Sequence, residues 1–128
     1  DLNIKHNAAH TSVGSLRPGY ETVNDPRDAP GSIHPIVRTH EETGHPALYL
    51  GRREWAYIPG LSLSDSEALL DELWSYAALT PNVWQQTWQP NDLIVWDNRR
   101  VLHRRDGFDN NARRLMKRCQ VLARATDG

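Results

Sequence analysis

The apolar positions of this chain switch period along its length. Helical spacing occurs at 65–79, where Leu70, Leu73, Trp74 and Ala77 fall at i, i+3, i+4 and i+7 and form one stripe for a core. Ahead of them, Ser64-Asp65-Ser66-Glu67 has the spacing of a capping box, in which the Ser hydroxyl and the Glu carboxylate satisfy backbone N–H groups left free by the first turn. Pro81 stops the helix. Period two appears on both sides of it. Upstream, IHPIVRTH (33–40) and PALYLG (46–51) read as strands joined by the turn EETGH, a predicted hairpin. Downstream, NVWQQTW (82–88) alternates, QPND turns the chain, LIVW (93–96) is a short apolar strand, and RRLMKRCQVLA (113–123) is a final one.

Two regions carry weaker patterns. Leu2, Ile4 and Ala8 give residues 1–11 the spacing of a helix end. Residues 12–32, rich in Gly and Pro and poor in apolar side chains, are expected to be a long surface loop. That loop, with Arg17, Tyr20 and Arg27, and the segment RREWAY (52–57) are candidate lids over a site, although a plain surface loop accounts for each equally well. The expected fold class is therefore mainly β with one or two helices.

Composition narrows the function classes. The 128 residues suit one small domain, and 15 basic against 16 acidic residues leave a net charge of -1, so no global field argues for nucleic acid or a membrane surface. The single cysteine, Cys119, has no internal disulfide partner, and no apolar run approaches the roughly 20 residues of a membrane span. A cytoplasmic location is the expectation. The opening DLNIKHNAAH has neither an initiator Met nor a signal-peptide pattern, and is read as the interior of a longer chain.

The final predicted strand has the most informative spacing. Alternation puts Arg114, Met116, Arg118 and Gln120 on one face, with the two arginines about 13 Å apart at the usual strand rise. Two guanidiniums on one face suit a dianion, since each can grip a carboxylate bidentately; on pattern alone, a solvated face with arginines paired to Asp or Glu is the commoner outcome. His103, at the end of an apolar stretch, reads on its own as a hydrogen-bonded structural residue. His6 and His10 have the spacing of helical zinc ligands, as a zinc hydrolase would need, but the intervening residues supply no Glu base. His34 and His40 would share a strand face too far apart to hold one ion. Nine of the 15 basic residues lie between Arg99 and Arg124, yet Asp106 and Asp109 interrupt the run and no base-stacking platform or RNA motif accompanies it, so no nucleic-acid partner is expected.

HPIVRTHEETGHPALYLG, WQPNDLIVWDNRRVLH and ARRLMKR together resemble the C-terminal half of the taurine dioxygenase family of Fe(II)- and 2-oxoglutarate-dependent oxygenases, which includes the 2,4-dichlorophenoxyacetate and dichlorprop dioxygenases. The likeness runs from about Ser32 to Leu122. It implies that residues 1–128 are the C-terminal portion of a double-stranded β-helix, or jelly roll, with iron held at its mouth by two histidines and one carboxylate. His103 is similar to the distal histidine of that triad. Arg114 resembles the arginine that pairs with the distal carboxylate of 2-oxoglutarate, and Arg118 the second arginine, which meets the oxoglutarate C1 carboxylate or an anionic group of the substrate. Asp97-Asn98 would shape the turn that aims His103. The family's other two ligands form an upstream His-x-Asp or His-x-Glu pair; neither spacing is recognised here, and the pair is expected outside these residues.

The function so implied is hydroxylation of a small anionic organic acid, a sulfonate or aryloxyalkanoate, by dioxygen and 2-oxoglutarate with release of succinate and CO₂. This segment alone is expected to be inactive. A metal-free jelly-roll module that captures a carboxylate through Arg114 and Arg118 is the alternative, and oligomeric state is not legible.

Overall fold

A computed structural model describes residues 2–11, 14–51, 55–109 and 111–122. Four short strands come first: β1 (Asn3–Lys5), β2 (Ile33–Pro35), β3 (Val37–Thr39) and β4 (Pro46–Leu48). A helix, α1 (Leu63–Ala77), and a 3-10 turn (Thr80–Asn82) follow. β1 pairs antiparallel with β2, with Ile4 opposite His34, and β3 pairs antiparallel with β4, with Arg38 opposite Ala47.

Ile36 joins the two ladders. Its N–H donates to Leu2 O at 3.0 Å on one side, and its carbonyl accepts Tyr49 N–H at 2.6 Å on the other. The predicted hairpin is thus present, with the 33–40 strand divided at this residue. Its turn is closed by Gly44, whose N–H reaches His40 O at 2.8 Å from a φ of +69°, a left-handed conformation that glycine adopts without a Cβ penalty. Pro46, which has no N–H to give a ladder, occupies the first position of β4, where that lack is tolerated.

The described residues 2–11 are not a helix end. Lys5 exchanges backbone hydrogen bonds with Tyr57 at 2.7 and 3.2 Å, so β1 is hydrogen-bonded on both flanks and β-branched Ile4 is fully buried between them. Three weakly periodic apolar residues cannot compete with that tertiary pairing. The 12–32 region is a loop as expected, except that residues 12 and 13 lie outside the described part. In the proposed second lid, residues 52–54 also lie outside it, and Ala56 and Tyr57 are buried, so the end of RREWAY belongs to the core.

The helix keeps its predicted stripe and shifts its start. Leu70 is fully buried in a cluster with Ile4, Ile36, Leu50, Ala56 and Ile58, and Leu69, Leu73, Trp74 and Ala77 pack against it. The N-cap is Ser62, whose Oγ accepts Asp65 N–H at 3.1 Å and donates to Asp65 Oδ2 at 2.6 Å. Two Ser-x-x-acid spacings overlap here, and burial decides between them. Ser66, a member of the predicted box, is 1 % exposed and accepts Ile58 N–H at 2.9 Å. That bond fastens the first turn of α1 to the segment that flanks β1.

Downstream of α1 the expectation fails. Beyond the 3-10 turn the described residues of 83–122 form no strand, so the strands predicted at 82–88, 93–96 and 113–123 are absent there; residue 123 lies outside the described part. A strand persists when a neighbour takes its N–H and C=O groups, and among the described residues no ladder is available to this segment. Its apolar side chains are correspondingly bare, with Leu93 86 %, Val95 85 % and Val121 99 % exposed. No helix among the described residues is long and apolar enough to cross a membrane.

Candidate active site

The sequence directs attention to the turn that starts at Asp97. Its side chain organises the turn: Oδ1 accepts the backbone N–H of Arg99 at 2.9 Å, and the Asp97 carbonyl accepts Arg100 N–H at 3.1 Å. The Arg99 guanidinium then folds back as a fork, with Nε 3.0 Å from Oδ1 and Nη2 2.9 Å from Oδ2. This side chain, then its backbone N–H, then His40 hold the Asp97 carboxyl well below the usual carboxylate range; Asp97 in turn raises the already high pKa of Arg99.

His40 approaches the turn from the far side of the chain. Its side chain is 3 % exposed, and Nε2 lies 2.7 Å from Asp97 Oδ2, although the two residues are 57 apart in sequence. Arg99 Nη2 also reaches Glu42 Oε1 at 3.4 Å, so two side chains of the β3–β4 turn touch the Asp97 turn. His40-Glu41-Glu42 has His-x-Glu spacing, which the sequence reading passes over. The geometry assigns those groups other work, because both ring nitrogens of His40 are engaged by Asp97 and Thr43, and Glu42 faces Arg99.

His103 follows on the exposed surface, its ring centroid 5.4 Å from that of Trp96 at a tilt of 49°. Trp96 Nε1 donates to Asn98 Oδ1 at 3.4 Å, so the indole beside His103 is itself tied to the turn. Arg114 lies with its guanidinium carbon 5.0 Å from the Phe108 ring centroid, and Arg105 stands at 4.9 Å from the same ring. Arg118 is exposed. Among the described residues no hydrogen bond, ion pair or ring contact joins His103 to Arg114 or Arg118, and the alternation that would place both arginines on one strand face is not formed.

The other histidines do not gather. With β1 extended, His6 and His10 lose their helical spacing: the His6 ring packs 5.3 Å from His34 and 4.9 Å from Tyr49, whereas His10 bonds Asn7 Nδ2 at 2.8 Å and stacks on Trp55. Burial, then the neighbouring His34, lowers the pKa of His6 below its ordinary value. His34 and His40 serve different partners, Tyr49 and Asp97. No group of three His, Cys, Asp or Glu side chains that could hold a metal occurs among the described residues, so His103 offers a single donor rather than a complete site.

Over 89 residues the chain is 39% identical to an (S)-phenoxypropionate/alpha-ketoglutarate-dioxygenase of Sphingobium herbicidovorans, covering 70% of this chain and 31% of that protein. It is 38% identical over 88 residues to an alpha-ketoglutarate-dependent 2,4-dichlorophenoxyacetate dioxygenase of Cupriavidus pinatubonensis, covering 69% and 30%. It is also 32% identical over 95 residues to an alkylsulfatase of Acinetobacter baylyi, covering 74% and 30%. The chain thus spans under a third of the length of these relatives. No solved structure matches it. A family model described as taurine catabolism dioxygenase TauD, TfdA family matches residues 1–120, and the chain belongs to that family.

Proposed function

We propose that this chain forms the C-terminal portion of a jelly-roll oxygenase that uses Fe(II) and 2-oxoglutarate to hydroxylate a small anionic organic acid of the sulfonate or aryloxyalkanoate class. Family membership supports the reading, and the relatives' names supply its substrate classes. The observation that carries it within the molecule is the exposed imidazole of His103, which lies beside Trp96, three residues beyond the turn fixed by Asp97, and makes no hydrogen bond among the described residues.

In this reading His103 is one iron ligand, and a His-x-Asp or His-x-Glu pair outside these residues provides the rest. Iron, if held there, would supply the redox chemistry that joins dioxygen to 2-oxoglutarate. Arg114 grips the distal carboxylate of 2-oxoglutarate. Arg118 receives its C1 carboxylate or the anionic group of the substrate, and a permanently charged, planar fork suits either task. The exposed apolar residues of 83–122 are those that strand pairing in the intact jelly roll would cover.

Anaerobic addition of Fe(II) and 2-oxoglutarate to the intact protein tests this. A visible charge-transfer band is expected, lost in His103→Ala and requiring more 2-oxoglutarate in Arg114→Ala, with succinate formed when an aryloxyalkanoate and dioxygen are supplied. Strong binding of 2-oxoglutarate in the presence of chelator, with no band on adding iron, would instead identify a metal-free carboxylate-binding module.

A further inference from the structure

We propose that His40 is a positioning residue for the iron site: its buried imidazole anchors Asp97, and through that turn fixes Trp96 and the chain leading to His103. This rests on the assignment of His103 as a ligand. The anchor has a firm base. His40 ends the β3–β4 hairpin, its N–H donating to His45 O at 2.9 Å and its carbonyl accepting Gly44 N–H at 2.8 Å. Thr43 N–H lies 3.3 Å from Nδ1 and points a donor at it, which leaves the ring proton on Nε2, directed at the Asp97 carboxylate 2.7 Å away.

The arrangement differs from an ordinary surface ion pair. Two flexible exposed chains gain little by pairing, because their ordering entropy offsets the attraction. Here one partner is a ring already immobilised by burial, and the other is a short side chain that also closes its own turn through Arg99 N–H. Movement of Asp97 therefore displaces the turn as a unit. Trp96, adjacent in sequence and hydrogen-bonded to Asn98 within that turn, would carry the displacement to the ring of His103. No strand pairing among the described residues fixes this segment, so the long-range contact through His40, seconded by Glu42–Arg99, ties it to the folded hairpin.

Two conservative substitutions separate this role from mere packing. In His40→Gln the amide nitrogen falls near the position of Nε2 and can still donate to Asp97. In His40→Asn the side chain keeps a polar acceptor for Thr43 but is too short to reach Asp97. In the intact protein under anaerobic Fe(II) and 2-oxoglutarate, the Asn variant is expected to shift or broaden the charge-transfer band and lower kcat/KM by about tenfold or more, as misplacement of a reacting group does. The Gln variant is expected to retain most of both, and Asn combined with Asp97→Ala should lose no more than the worse single change. A wild-type protein with the band and an Asn variant with unchanged band and turnover overturns the role of His40 alone, as do losses that multiply in the double variant. A wild-type protein with no band removes the iron-site reading beneath it.

Discussion

The Oγ of Ser66 accepts the backbone N–H of Ile58 at 2.9 Å, and both residues are almost completely shielded from water. This bond couples the first turn of α1 to the strand-like segment whose next residue towards the N-terminus, Tyr57, pairs with Lys5 of β1. Ser66→Ala would leave a buried donor without an acceptor, at a cost of about 1–3 kcal/mol. Urea unfolding of the intact protein should show that loss as a lower midpoint at unchanged slope; an unchanged midpoint would mean that Ile58 finds another acceptor.

The elements legible in the sequence were those whose period is local and whose partner is near. The stripe of Leu70, Leu73, Trp74 and Ala77 needed a single face, and the β3–β4 hairpin needed a partner seven residues away with Gly44 between. Where two local signals compete, only packing decides, and so the cap fell at Ser62 while Ser66 turned inward. β1 and the pairing of His40 with Asp97 were hidden for a different reason: each depends on residues tens of positions away, which no periodicity records. The spacing of Arg114 and Arg118 would orient them together only in a strand, and that strand needs a neighbour the described residues do not supply. Resemblance, rather than geometry, therefore carries their assignment.

The cap itself can be tested by comparing two serines two residues apart. Ser62→Ala removes the acceptor for Asp65 N–H and should cost about 1 kcal/mol of stability. Ser64→Ala, which loses only a contact with the Ser62 hydroxyl at 3.0 Å, should remain within about 0.5 kcal/mol of the parent. Thermal unfolding of the two variants side by side checks the assignment, and a larger loss at Ser64 would return the cap to the position expected from the sequence.

His6 explains two glycines. A Cβ on Gly31 would collide with the backbone carbonyl of His6, whereas one on Gly51 would collide with the His6 ring. The first clash involves backbone held in place by His6 N–H donating to Ser32 O at 2.8 Å and cannot be relieved by trimming a side chain. Both Gly31→Ala and Gly51→Ala should destabilise by about 1–3 kcal/mol or more, as overpacking does. Adding His6→Ala should recover part of the Gly51→Ala loss and none of the Gly31→Ala loss, measured as a double-mutant cycle in urea.

The same histidine should make stability depend on pH in a predictable direction. Burial, followed by the neighbouring His34, depresses the pKa of His6, and its Nε2 is buried without a hydrogen-bond partner among the described residues. As pH falls through about 6.5, the unfolded chain takes up the proton before the folded one, so the unfolded state binds more protons and stability falls with falling pH. The contribution is thus complete above the unfolded value and is lost progressively toward the lower folded value, below which both states are protonated and the loss levels off. His6→Gln removes the titration. The difference in unfolding free energy between parent and variant should therefore shift against the parent when pH is lowered from about 7.5 to about 5; a difference that stays constant across that range would show that His6 titrates alike in the folded and unfolded chain.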